Sequence, residues 1–218
     1  MPEPAALLLD LDGTLVDSEG FHRQVFRNWF AARGWPASDE LLAGFTGRRA
    51  DDVFATQPGP WDGEDAEAMT AELLTHVAGL PQPGLAPGAA ELVAGARVPL
   101  GLVTSATHEW ARTCLGDLLD HFAAVVTRDE VSRGKPDPEP YLLACRALGV
   151  SAPDCLAVED APAGVASAVA AGVGLVVAVS TTFTSIQLSA AHLVVPGLDH
   201  VPGLLTASSW AARLGPSS

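Results

Sequence analysis

The sequence predicts an α/β fold: a parallel sheet with helices on both faces, and an all-helical segment inserted after the first strand. Three observations carry this reading. Short apolar runs of strand length recur at 5–9, 99–103, 123–126, 155–158, 174–179 and 193–195, and strands without polar alternation belong to sheets buried on both faces. From residue 99 onward, helix-like stretches separate most of these runs, which is the alternation of an α/β domain. Between about 17 and 82 no strand-like run occurs. The expected division is a core made of 1–16 and 83–218, and a helical cap domain at 17–82 on two linkers.

Taken in order, the first run is Ala5-Ala6-Leu7-Leu8-Leu9, and it ends abruptly at Asp10. Residues 18–33 place Phe21, Val25, Trp29 and Phe30 on one helical face, and Gly34 ends the pattern. Ser38 with Asp39 and Glu40 reads as a second helix start, and Gly63 to Ala78 again reads helical. Trp29, Trp35 and Trp61 fall in this segment, where an indole either packs helices together or stacks on a sugar. Pro81, Pro83 and Pro87 stiffen the return to the core. Beyond it, helices are expected over 107–119, 138–148 and about 163–171. Residues 161–198 contain no Asp, Glu, Lys or Arg. This stretch still divides into a small-residue helix, a glycine stop at Gly172 and a strand over 174–179, which is not the pattern of a membrane span.

Composition narrows the function classes. Hydrophobic residues make up 48% and charged residues 17% of 218, enough for a core and too apolar for disorder. Twelve Lys and Arg against 26 Asp and Glu give a net charge of −14. A field of that sign repels nucleic acid and anionic membrane, so neither is an expected partner. It also repels phosphorylated compounds unless a metal or a local cation reverses the sign at the site. Cys114, Cys145 and Cys155 are scattered, with no paired motif, and read as thiols of a reducing compartment. Met1-Pro2-Glu3-Pro4 lacks the basic start of a secretory leader. A cytoplasmic location is the expectation.

The chemistry lies where the strand runs end. The first run gives way to Asp10-Leu11-Asp12-Gly13-Thr14; carboxylates two residues apart leave an extended strand on one side, and Gly13 allows a sharp turn. The run at 99–103 is followed by Thr104-Ser105, and the run at 155–158 by Glu159-Asp160. Gly134-Lys135-Pro136 follows the third run. Ligands of open parallel sheets bind beyond the carboxyl ends of strands, so one site would collect four carboxylates, two hydroxyls and a lysine. Carboxylates so crowded need a cation. An oxygen-rich set without His or Cys suits Mg²⁺. Each motif alone has a plainer reading: Asp10 to Gly13 as a turn, Thr104-Ser105 and Glu159-Asp160 as helix starts, Arg48-Arg49 as surface charge, His22 as a core or solvated histidine.

In this order, Asp10-Leu11-Asp12-Gly13-Thr14, Thr104, Lys135-Pro136 and Glu159-Asp160 resemble the haloacid dehalogenase superfamily of phosphotransferases. Leu15-Val16-Asp17-Ser18-Glu19 and Val158-Glu159-Asp160-Ala161-Pro162-Ala163-Gly164 are most similar to its sugar phosphatase and β-phosphoglucomutase branch. The resemblance implies a Rossmann-like core with an α-helical cap. It implies that Asp10 is the nucleophile that becomes an aspartyl phosphate, and that Asp12 is the acid/base whose main-chain carbonyl also meets metal. Thr104 and the Ser105 backbone N–H would hold the phosphoryl group, and Lys135 would sit between it and Asp10. Glu159 and Asp160 would complete the Mg²⁺ shell. His22, Arg48 and Arg49 are the candidates for contacts from the cap.

Within that family, Asp12 argues against halide displacement. The Schiff-base and mutase branches use a cap lysine, and Lys135 is the only lysine here. The expectation is a Mg²⁺-dependent phosphatase acting on a small phosphorylated metabolite, which the resemblance implies is a sugar phosphate. A β-phosphoglucomutase-type mutase is the alternative, and a catalytically silent regulatory module the third reading. Hinges for opening and closing are expected near Leu15–Asp17 and Leu80–Pro83. Oligomeric state is not legible.

Overall fold

The computed structural model describes residues 3–206. Met1 and Pro2 of the leader reading, and 207–218 of the expected core segment, lie outside the described residues. Six strands form one sheet: β1 (Ala6–Leu9), β2 (Leu100–Val103), β3 (Ala124–Val126), β4 (Cys155–Glu159), β5 (Leu175–Val179) and β6 (Leu193–Val195). Their order is β3-β2-β1-β4-β5-β6, and every neighbouring pair is parallel. Leu9 lies in register with Leu102 of β2 and Val158 of β4. Asp10, Thr104 and Glu159 therefore leave the sheet close together. The order reverses between β1 and β4, and the crevice at such a switch point is where ligands bind in this architecture.

Side chains alternate across the sheet. Leu7 and Leu9 of β1 join Leu156, Val158 and Val177 on one face, under α5 (Ala89–Gly95) and α6 (His108–Leu115). Ala6 and Leu8 join Ala157 and Val176 on the other, under α7 (Glu139–Leu148) and α8 (Pro162–Ala170). Between β1 and α5 run α1 (Glu19–Ala32), α2 (Asp39–Ala43), α3 (Ala50–Thr56) and α4 (Ala66–Thr75). These four helices close around a third cluster of their own, including Val25, Trp29, Phe30, Phe45, Trp61 and Leu73.

Capping chemistry explains several boundaries. The side chains of Ser38, Asp65 and Thr107 accept from Leu41, Ala68 and Trp110 N–H at the starts of α2, α4 and α6. The helix expected over 107–119 is shorter than predicted. Gly116, at φ +52°, breaks it after Leu115, and 116–121 continues as a 3₁₀ turn. The stretch 63–78 likewise contracts to α4. The chain enters and leaves the inserted helices side by side: Asp17 N–H donates to Gly84 O at 3.0 Å, and Ala86 N–H to Leu15 O at 2.9 Å. Among the described residues, no helix is long and apolar enough to cross a membrane.

Candidate active site

The carboxyl ends of β1, β2 and β4 and the loop carrying Lys135 meet at one buried point. Lys135 is only 2% exposed. Its ammonium donates to Asp10 Oδ1 at 2.6 Å, Glu159 Oε1 at 2.6 Å and Val103 O at 2.9 Å, which uses all three of its protons. Burial works against its charge, but Asp10 and Glu159 outweigh burial and hold its pKa above the ordinary lysine value. Tyr141 OH donates to the same Glu159 oxygen at 2.6 Å. Glu159 is thus held from two sides, and its Oε2 and both oxygens of buried Asp160 have no hydrogen-bond partner among the described residues.

Asp10, Glu159 and Asp160 place one carboxylate oxygen each within 4.8 Å of one another. Burial, and then the charge of Glu159, push Asp10 up to about 7. Burial, Asp10 and Glu159 raise Asp160 as well. Three crowded carboxylates, two of them with orphaned buried oxygens, are a poor arrangement for a protein alone. They fit a hard divalent cation, whose preferred ligands are oxygens. Two glycines make room for them: a Cβ on Gly13 would stand 2.0 Å from Asp160 Oδ2, and one on Gly164 2.0 Å from Glu159 Oε2. Gly13 also has φ +82°, where a side chain is strained.

Asp12 stands apart from this cluster. Its Oδ1 accepts from Ser18 Oγ at 2.7 Å and Trp110 Nε1 at 2.9 Å, and lies 2.9 Å from His22 Nε2. Burial alone would raise Asp12, but His22 and these hydrogen bonds bring its pKa below the usual value. Asp12 in turn overcomes the effect of burial on His22 and raises it. Ser18, at the N-cap of α1, makes no capping bond; its hydroxyl goes to Asp12 instead.

A cavity of about 530 Å³ opens over Asp10 and Asp12, roofed by α1, α4 and the loop around Gly47. Thr104 and Ser105 line it, as do His22, Arg48 and Arg49. Thr104 Oγ1 accepts from Ala106 N–H at 3.0 Å, which leaves its proton free to donate, and Ser105 Oγ donates to Gly47 O at 3.2 Å. Arg48 reaches Thr56 Oγ1 at 3.3 Å and its buried Nε has no partner among the described residues. Arg49 is committed elsewhere: it makes a forked pair with Asp52, 2.8 Å on each arm, and donates to Val131 O and Ser132 O across from the inserted helices. Trp29 and Trp61 are buried within the helical cluster and Trp35 packs on Trp29, so none of the three lines the cavity.

The family model for haloacid dehalogenase-like hydrolases matches residues 4–172, three quarters of the chain and every element of this site. The chain belongs to the haloacid dehalogenase-like hydrolases. Among curated proteins, a validoxylamine A 7'-phosphate phosphatase from Streptomyces hygroscopicus subsp. limoneus is 37% identical over 201 residues, covering 89% of this chain and 94% of that one. Hexitol phosphatase A from Escherichia coli is 36% identical over 203 residues, covering 89% and 91%. A solved structure of mutant CbbY from Rhodobacter sphaeroides, in complex with xylulose-(1,5)bisphosphate, superposes with a TM-score of 0.74 at 25% identity, covering 88% and 94%.

Two residues of this haloacid dehalogenase-like site carry no signal in the sequence. Trp110 lies near the start of α6, on the sheet side, yet bonds Asp12 and stacks on Phe21 of α1 with ring centroids 5.0 Å apart. Tyr141 looks like an ordinary core aromatic of α7 until its hydroxyl is seen on Glu159. Each acts through a contact made only when distant segments pack.

Proposed function

We propose that this hydrolase is a Mg²⁺-dependent phosphatase of a phosphorylated sugar or polyol, working through an aspartyl phosphate on Asp10. The observation that carries the reading is Lys135, fully buried, joining Asp10 to Glu159 beside carboxylate oxygens that lack partners. Asp10, Glu159 and Asp160, with the main-chain carbonyl of Asp12, would hold the ion; when bound, it supplies positive charge against the transferring phosphoryl group.

This chain's own residues do the rest. Asp10 attacks phosphorus, and the bond to the ester oxygen breaks. The departing oxygen is protonated through Asp12, which is ionised at rest and draws the proton from the His22 imidazolium 2.9 Å away. Water then attacks the aspartyl phosphate and gives its proton back to Asp12, and inorganic phosphate leaves with Asp10 restored. Lys135, Thr104 and the Ser105 N–H steady the phosphoryl oxygens. Helices α1–α4, over 17–82, act as a cap that closes on substrate and excludes bulk water, with His22 and Arg48 facing the leaving group.

Relatives named as phosphatases favour hydrolysis over a mutase, and so does an insert without a lysine. Every catalytic position is filled, which argues against a silent module. The test is release of phosphate from a panel of sugar, polyol, nucleotide and glycolate phosphates, with Mg²⁺ and with EDTA. Metal-dependent release from sugar or polyol phosphates is expected. Conversion of β-glucose 1-phosphate to glucose 6-phosphate, faster than any phosphate release, would overturn the phosphatase reading.

A further inference from the structure

The cavity above Asp10 is not uniformly polar, and the change follows the helices. On α1 the residues lining it are Glu19, Phe21, His22, Arg23, Val25 and Phe26; Glu19 and Arg23 satisfy each other in an ion pair at 2.8 Å, and Phe21, His22, Val25 and Phe26 form one stripe beside them. His22 touches Asp12. Phe26, one turn further along, packs its ring against Phe45 at 4.4 Å. From α4 and the turn after it, Thr70, Leu73, Leu74 and Val77 face the same space at matching helical spacing, apolar beyond Thr70. Leu74 is 55% exposed and belongs to none of the three hydrophobic clusters. The polar end of the cavity therefore holds the reacting groups, and an apolar arm begins about one helical turn away.

Size points the same way. A hexose phosphate, close-packed, fills on the order of 200 Å³, against about 530 Å³ here. Resting on the phosphatase reading above, we propose that the preferred substrate is a sugar phosphate whose far end carries a second, apolar-faced ring: a glycoside phosphate. The phosphoryl group sits over Asp10, the sugar hydroxyls meet the polar rim, and the second ring lies against Phe26, Leu74 and Val77.

The experiment compares phenyl β-D-glucoside 6-phosphate with glucose 6-phosphate. Both present the same primary ester, so the chemistry is equal and only the far ring differs. With Mg²⁺ present, kcat/KM for the glucoside is expected to be at least about tenfold higher. Leu74→Asp puts a charge into the arm at an exposed position that the fold does not depend on, and the ratio of the two kcat/KM values should fall toward one. Ile186→Asp, at a more exposed apolar position outside the cavity, should leave the ratio unchanged. Hydrolysis of glucose 6-phosphate at an equal or higher kcat/KM, or a ratio that ignores Leu74→Asp, overturns this inference and leaves the phosphatase standing. If neither compound nor p-nitrophenyl phosphate releases phosphate, the phosphatase reading falls and this one with it.

Discussion

At the scale of single residues, the ammonium of Lys135 has no slack. Three acceptors at 2.6, 2.6 and 2.9 Å surround its buried ammonium. A forked, planar guanidinium would not fit that geometry. Lys135→Arg is expected to lose at least about a hundredfold in kcat, since a misplacement near 1 Å costs that much; near-normal kcat/KM would reduce Lys135 to a generic positive charge. Trp110 gives a second prediction. Trp110→Phe keeps a ring against Phe21 but removes the N–H that Asp12 accepts. A hydrogen bond to a charged group of this kind is worth about ten- to a hundredfold in rate. The loss should be large for sugar phosphates and small for p-nitrophenyl phosphate, whose leaving group needs little protonation. Equal losses on both would show that Trp110 serves packing alone. The four ordered motifs made Asp10, Asp12, Lys135 and Asp160 legible as candidates, because consecutive residues at strand ends keep their relation in the fold. Trp110 and Tyr141 were not legible. Each is 18 or more residues from the carboxylate it bonds, and nothing local marks an aromatic as a hydrogen-bond donor to one particular carboxylate.

At the scale of elements, all six strands were legible as apolar runs, because a strand buried on both faces has no polar residue to blur its edges. Helices α3 and α5 were not: each has seven residues, too few for a helical period to stand out, and α5 follows a proline-rich stretch. The start of α8 shows how an element's end can be shaped for its neighbour. Pro162 at its first turn suits a helix start, while Gly164 leaves the space that Glu159 occupies. Gly164→Ala is favourable for an isolated helix by about 1 kcal/mol. Here its methyl would collide with a carboxylate held in place by Lys135 and Tyr141. The expected outcome is a variant at least several degrees lower in Tm with weakened Mg²⁺ binding; a Tm raised by the substitution would show that Glu159 moves freely.

For the whole molecule, the site is a reservoir of unbalanced charge. Asp10, at about 7, and Asp160, well above its usual range, bind protons in the folded state that they release when unfolded. Their contribution is complete below the ordinary carboxylate pKa and is lost as pH rises through 7. Metal-free protein should therefore lose Tm between about pH 5 and 8. Mg²⁺ at a hundredfold excess over its Kd should raise Tm at the upper end by about 5–10 °C and flatten the pH trend. Calorimetry with EDTA and with Mg²⁺ checks this, and identical curves would remove the cation from the site. The inserted helices are tied to the core at the mouth of the cavity by Arg49 on Val131 and Ser132 and by Arg128 on Asp51 at 3.0 Å. They join it again at the pair of chain crossings where Asp17 meets Gly84 and Leu15 meets Ala86. Entry and exit lie within one hydrogen bond of each other, so the sheet is closed before the insert is counted. To the rest of the fold, sixty-odd residues amount to a single tight turn. A lineage can lengthen, shorten or exchange that excursion without disturbing a strand, which separates the history of what the molecule recognises from the history of how it reacts.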